Sequence, residues 1–404
     1  MNYSFASHLD CPKCHSVFSV DSIHQLCHCG YPLLVKYHLQ ELKNRLTKDE
    51  VSNRKDFSLW RYHELLPVLD ENHVVTLGEG FTPLIKTENI GHCYSIKNLF
   101  MKDEGIIPTG SFKARGASVG VSKAKELGVR TLAMPTNGNA GGAWALYSSR
   151  AGIEAYVVMP KDAPYVTRVE VSIAGAHLYL IDGLISDAGK TVARLVCENE
   201  FYDASTLKEP YRIEGKKTMG YEIAEQLNWN LPDVILYPTG GGVGIIGIYK
   251  ALLELKELGW ITGKLPRLVA VQSEGCAPIV KAWKERKKES EFWEKSSTKA
   301  FGINVPKAIG DFLVLEALYE TNGYAISVSE ESIQKSQRQA AELEGNFICP
   351  EGAATFAAAY ELRKRNWIKE DETVVCLNTG QGIKYPDLFS AELPLLRKGE
   401  NIVI

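Results

Sequence analysis

Pro108-Thr109-Gly110-Ser111-Phe112-Lys113-Ala114-Arg115-Gly116 reads as a turn that opens into a helix. Pro108 and Gly110 interrupt regular structure, and Ser111 suits an N-cap. Small and apolar residues then recur at helical spacing over 112–127, and Gly128 closes the run. Lys113 falls in the first turn, where the helix dipole is positive and disfavours the ammonium form. A lysine meant for ion pairing gains from the other end of a helix. One that must shed its proton to attack a carbonyl gains from this end. Taken alone, a solvated first-turn lysine is the plainer account; the rest of the chain reverses that weighting.

Beyond this stretch, strands and helices alternate. A short apolar strand over 130–134 ends in Pro135-Thr136-Asn137-Gly138-Asn139, and a helix of small residues begins at Ala140. Strands over 153–159 and 177–181 alternate with helices over 163–174 and 187–200. Such alternation predicts an α/β fold with a parallel sheet covered on both faces. Ligands of such sheets bind beyond the carboxyl ends of the strands. A second end of this kind follows Val234-Ile235-Leu236-Tyr237. There Pro238-Thr239-Gly240-Gly241-Gly242-Val243-Gly244 leads into a helical run over 245–258. Four glycines in five positions exceed the needs of a tight turn. They let several N–H groups converge on one anion at a helix start, and phosphate is the natural guest. The spacing is neither a P-loop nor the dinucleotide fingerprint. Strands over 268–272, 325–328 and 374–377 follow, the last ending in Asn378-Thr379-Gly380-Gln381-Gly382. An amphipathic helix covers 329–343, and 281–299 reads as a charged surface segment.

At the N-terminus, Cys11-Pro12-Lys13-Cys14 is followed after twelve residues by Cys27-His28-Cys29. Two short cysteine pairs around a hairpin-like segment look like a zinc ribbon. Its four thiolates would close a tetrahedral structural site. A bare hairpin with free thiols is the alternative. The other five of the nine cysteines lie in apolar surroundings. Metal plus core packing therefore fits better than a disulfide framework, as expected in a reducing compartment. Residues 1–40 are read as this extension, 41–57 as a charged linker with room for a short helix, and 58–404 as the catalytic region. The net charge of -3 gives no electrostatic footprint for nucleic acid or an anionic membrane. No apolar run spans a bilayer, and the N-terminus lacks a secretory core, so a cytoplasmic protein is expected.

A lysine at a helix start, an anion cup, an asparagine-rich loop and a hydroxyl after a late strand fit one cofactor. Pyridoxal phosphate needs an amine for its aldehyde, a site for its phosphate and a partner for its ring nitrogen. The chain resembles the fold-type II pyridoxal-phosphate enzymes, and among them the threonine synthases, over 77–387. The matching segments are GEGFTPL (78–84), KDEGIIPTGSFKARG (102–116), NGNAGGA (137–143), PYRIEGKKTMGYEI (210–223), PTGGGVG (238–244) and LNTGQGIKYPD (377–387).

The resemblance implies two α/β subdomains with open, mostly parallel sheets, the smaller over about 115–205. It implies that Lys113 carries the cofactor and then moves protons. Asn139 would bond the phenolic oxygen, Gly240, Gly241, Gly242 and Val243 would bind the phosphate, and Thr379 would meet the ring nitrogen. A neutral hydroxyl there leaves the ring a weaker electron sink, which suits elimination and replacement. Arg212 would lie near a substrate phosphate, with Lys217 and Thr218 continuing that match. The implied reaction turns O-phosphohomoserine and water into threonine and phosphate, in a homodimer. The chain departs from the family at Thr206, Leu207 and Glu209, where relatives carry asparagines and a serine. Ala114 replaces a frequent aspartate, and the cup is of the glycine-rich dehydratase type. A threonine or serine dehydratase, or a β-replacing synthase, is therefore the alternative. A third reading, a binding module that has lost catalysis, is opposed by the intact Lys113, Asn139 and Thr379.

Overall fold

A computed structural model of the chain describes residues 3–389, 395–399 and 402. Its larger sheet has six strands, in the order Tyr324–Val328, Arg267–Ser273, Val234–Pro238, Thr373–Asn378, Asn98–Asp103 and Leu84–Lys86. All neighbours are parallel except the last pair. The strand Val234–Pro238 is buried along its whole length, as a continuous apolar run must be when helices cover both faces. A smaller parallel sheet has the order His177–Ile181, Glu154–Pro160, Thr131–Pro135 and Tyr202–Asp203. The long strands lie where the sequence puts them. Leu84–Lys86 and Tyr202–Asp203 are too short to leave a pattern.

The helix Lys113–Glu126 begins one residue later than the sequence suggests. Ser111 is not its N-cap. That position belongs to Phe112, with no side-chain cap, while Ser111 is extended and bridged to Gly380. The Phe112 N–H donates to the Thr379 carbonyl at 3.0 Å, which ties the lysine loop to the late-strand loop. The helix Arg212–Gln226 crosses close by. A Cβ at Gly215 would stand 2.0 Å from the Arg115 carbonyl oxygen, so the two helices touch at backbone distance. Only glycine permits that approach.

Arg115, fully buried, holds the crossing together. Its Nε lies 2.6 Å from Glu104, and its Nη2 lies 2.7 Å from both Glu104 and Glu222. Lys102 Nζ adds 2.6 Å to Glu222. Burial pushes the Glu222 carboxyl up, but Arg115 and Lys102 outweigh it and hold it at about 2.

The N-terminal extension is a three-stranded antiparallel sheet of Val17–Ser19, Ala6–Asp10 and Leu34–Tyr37. The Tyr37 hydroxyl donates to Glu214 at 2.7 Å, docking the sheet against the helix Arg212–Gln226. Segment 41–57, read above as a linker, is packed. It contributes to the helix Leu39–Lys43 and forms the helix Lys48–Ser52, and its Leu42, Leu46 and Val51 are buried in the main core. Three apolar residues among many charges are too few to show as a periodic pattern, yet they suffice to anchor one face.

Candidate active site

The strand ends that carry Thr379, Asn139 and the glycine cup are linked through Cys349, Tyr385, Glu351 and Gly302, and Glu351 and Cys349 act electrostatically on Lys113. Lys113 Nζ lies 4.2 Å from the centroid of the Phe112 ring. Burial, and then the Arg212 guanidinium, lower its ammonium to about 8, against the opposing pull of Glu351 and Cys349. Asn139 opens the helix Asn139–Ala151 at the end of the strand Thr131–Pro135. Its Nδ2 reaches the Tyr385 hydroxyl only at 3.5 Å, and its Oδ1 is buried without a partner. Tyr385 in turn donates to Glu351 at 2.7 Å, and the other Glu351 oxygen accepts the Gly302 N–H at 2.7 Å. Phe301 stacks on Tyr385 at 4.7 Å. Thr379 is buried, with its Oγ1 3.6 Å from Cys349 Sγ.

At the third end, Gly242 adopts φ +76° and the helix Val243–Leu258 begins. Among the described residues, no protein acceptor takes the N–H groups of Gly240, Gly241 or Gly242. Three of its glycines have no room for a side chain, while a Cβ at Gly241 would meet only the Thr206 methyl at an ordinary 3.5 Å. A Cβ at Gly240 would meet the Gly302 carbonyl at 2.6 Å, one at Gly242 would meet Val314 at 2.3 Å, and one at Gly244 would meet the Tyr237 hydroxyl at 2.0 Å. Free N–H groups in a cradle, an amide with hydrogen-bonding capacity to spare, and an amine near pH 8 all suit pyridoxal phosphate. The residues present fit that group.

The candidate substrate residues part company. Arg212 is 3% exposed. Its Nε donates to Glu209, its Nη2 to the Ala204 carbonyl, and its Nη1 to Thr206 at 3.1 Å. The guanidinium carbon sits 4.9 Å from the centroid of a Trp144 ring. Glu209 also accepts the N–H groups of Tyr211 at 2.9 Å and Arg212 at 3.1 Å. Thr206 and Glu209 thus hold Arg212 in place, and the buried Leu207 packs at Gly310. The charge of Glu209 is answered from within the protein. Glu209→Gln is accordingly expected to cost about 1.5–3 kcal/mol of stability, the worth of a hydrogen bond to a charged group. It should bring no gain in the use of a phosphorylated substrate. Urea unfolding and substrate kinetics check both, and a faster, equally stable variant would contradict the pairing.

Lys217 and Thr218 lie away from Lys113. Lys217 Nζ sits 2.6 Å from Glu214 and 3.0 Å from Glu254, beneath the Tyr37 ring of the N-terminal extension. The Thr218 hydroxyl donates to the Gly215 carbonyl at 2.6 Å and accepts from Arg115 at 2.8 Å. Helical geometry is the reason. Positions five and six beyond Arg212 fall on other faces, whereas Lys216, at i+4, shares its face. Lys216 Nζ is 4.1 Å from the centroid of the same Phe112 ring that Lys113 approaches. The i,i+4 spacing of Arg212 and Lys216 is visible in the sequence, but matching the block RIEGKKT as a line, not as a helix, hides it. Sequence reasoning also missed Cys349, Glu351 and Tyr385; Cys349-Pro350 reads in isolation as an ordinary helix start.

The four N-terminal cysteines come together. Their sulfurs lie within 4.8 Å of one another, with Cys11 to Cys29 at 3.5 Å and Cys14 to Cys27 at 3.4 Å. Four convergent thiols suit tetrahedral zinc with no open position. Protein purified without chelator is expected to carry one zinc per chain, measurable by elemental analysis. No zinc, with all four thiols freely titratable, would leave only a bare hairpin.

The model of the family described as pyridoxal-phosphate dependent enzyme matches residues 75–380, and the chain belongs to that family. Its relatives narrow the placement. A threonine synthase of Methanocaldococcus jannaschii is 36% identical over 93% of this chain and 93% of its own. One of Methanosarcina acetivorans is 38% identical over 94% and 92%. These relatives put the chain among the threonine synthases. Solved structures share the fold. A pyridoxal 5'-phosphate-dependent aspartate racemase superposes with a TM-score of 0.66 at 23% identity, over 76% of this chain and 92% of its own. The processed form of threonine deaminase isoform 2 from Solanum lycopersicum gives 0.63 at 20% identity, over 74% and 84%. No helix among the described residues is long and apolar enough to cross a membrane.

Proposed function

We infer that the chain is a pyridoxal-phosphate-dependent lyase that converts O-phosphohomoserine and water to threonine and phosphate. The observation that carries this reading is Lys113, its ammonium lowered to about 8 by burial and Arg212, with Glu351 and Cys349 as the neighbours that link it toward Asn139, Thr379 and the glycine cup. Bound there, pyridoxal phosphate supplies an electrophilic aldehyde and a conjugated ring that draws electrons from the substrate's α carbon. Lys113 would be its anchor and the group that carries protons at the α and β carbons. Asn139 would orient the phenolic oxygen, and the N–H groups of Gly240, Gly241, Gly242 and Val243 would take the phosphate. Thr379 would face the ring nitrogen with no charge, its hydroxyl held beside Cys349. Arg212 would line the substrate's side. The same resemblance supports a cytoplasmic homodimer, which light scattering on purified protein checks for oligomeric state.

The dehydratase alternative draws on the glycine-type cup. Separate incubations with O-phosphohomoserine, threonine and serine decide between them. Phosphate release from the first supports the present reading. Keto acid and ammonia from the others, without phosphate release, would replace it with the dehydratase.

The lowered Lys113 amine has a pH consequence. At pH 7.5 an amine of pKa about 8 is about one-quarter neutral, against about one in a thousand for an ordinary lysine. The rate at which apoprotein turns yellow with pyridoxal phosphate is expected to rise with pH and level off just above 8. Levelling only near 10.5, the ordinary lysine value, would contradict the burial argument.

A further inference from the structure

Five lysines are buried in the described structure: Lys102, Lys123, Lys216, Lys217 and Lys384. Four of them have a carboxylate within 2.6 Å, namely Glu222, Glu126, Glu214 and Glu170 respectively. Lys216 is the exception. It is 4% exposed, and no acceptor or counter-ion among the described residues reaches its ammonium; its one close contact is the Phe112 ring at 4.1 Å. An aromatic face compensates only a small part of the cost of desolvating an ammonium. The carboxylates that act on Lys216, Glu209 and Glu104, are already paired with Arg212 and Arg115. Burial first, then the neighbouring Lys113 and Arg212, push its ammonium well below the usual range.

The geometry also gives this side chain a path to the site. A Cβ at Gly116 would stand 2.9 Å from Lys216 Cε and 3.1 Å from Arg212 Cβ. The glycine lets both side chains cross the first turns of the Lys113 helix. A buried amine whose charged form no anion supports, beside an arginine whose charge Glu209 already offsets, is a place where an anion brought from outside would restore the ammonium.

We propose that Lys216 is the substrate-binding residue that supplies the charge for the phosphate ester of the substrate, with Arg212 as the fixed wall beside it. The proposal rests on the phosphohomoserine reading above. The cofactor's phosphate has its own glycine cup, so it does not compete for Lys216. A phosphate ester near neutral pH carries close to two negative charges, more than a carboxylate offers to an uncompensated ammonium.

The test uses holoenzyme of the wild type, Lys216→Met and Lys216→Arg. Three quantities are read: inhibition by inorganic phosphate, kcat/KM for O-phosphohomoserine, and affinity for threonine from the cofactor absorbance. Lys216→Met is expected to weaken phosphate inhibition and lower kcat/KM by about ten- to a hundredfold each, the range of one hydrogen bond to a charged group. Threonine, which has no phosphate, should bind within about twofold of wild type. Lys216→Arg should recover part of both losses. The melting temperature of Lys216→Met should equal or exceed wild type, because a buried amine without a hydrogen-bond partner is removed. Unchanged phosphate inhibition overturns the proposal. So does a matching loss of threonine affinity, which would assign Lys216 to the carboxylate, and so does a lowered melting temperature. Should wild-type protein bind inorganic phosphate through Lys216 yet release none from O-phosphohomoserine, the phosphate site stands and the functional reading falls.

Discussion

Lys113→Ala is expected to abolish turnover, lowering kcat by at least about ten-thousandfold, because one amine serves as covalent anchor and proton carrier. The variant should still fold. Lys113 takes part in no ion pair among the described residues, so its loss strands no partner. Pyridoxal phosphate should still bind through the glycine cup and Asn139, but without a covalent link. Borohydride should therefore fix the cofactor to wild-type protein and not to the variant, with the label recovered on the peptide that carries Lys113. A Lys113→Ala protein with wild-type turnover would remove the lysine from the account.

The second large effect is on stability. Arg115→Met is expected to destabilise the fold by about 3–5 kcal/mol, the usual result of breaking a buried ion pair from one side. It leaves Glu104 and Glu222, both fully buried, with Lys102 as the one remaining cation of the cluster. The pH dependence has a definite sign. Glu222 is lowered from its ordinary 4.5 to about 2. Its contribution is therefore full above about pH 4.5 and fades as pH falls toward 2. The gap between wild type and Arg115→Met in urea unfolding should be widest near pH 7 and narrower near pH 4. A gap that is absent, or equal at both, would show that the cluster contributes nothing through its charges.

The fold was legible wherever apolar residues recur in long runs. The strand Val234–Pro238 and its following helix announce themselves because both faces are buried. The helix Arg212–Gln226 did not. Its first fourteen residues are buried, yet six of them are charged. Arg212, Glu214, Lys217, Glu222 and Glu225 find partners on other parts of the chain, on the preceding loop or within the helix itself. Apolar periodicity cannot signal a helix most of whose charged residues are satisfied within the protein. The site shows the same division. Asn139, Thr379 and the glycine cup sit just beyond strand ends and Lys113 follows a turn, and turn residues mark all of them in the sequence. Lys216, Cys349 and Tyr385 depend on which face of a helix or loop turns inward, and that is set by packing between distant segments. Glu209 shows a related limit. A carboxylate in a phosphate-reading segment suggests repulsion until Arg212 is seen to take it.

Conversion of O-phosphohomoserine in ¹⁸O-labelled water tests the central claim most directly. The reaction proposed here breaks the Cγ–O bond and adds water at Cβ. Threonine should therefore gain one heavy oxygen, and the phosphate released in equal amount should gain none. Labelled phosphate with homoserine, or keto acid and ammonia in place of threonine, would contradict it.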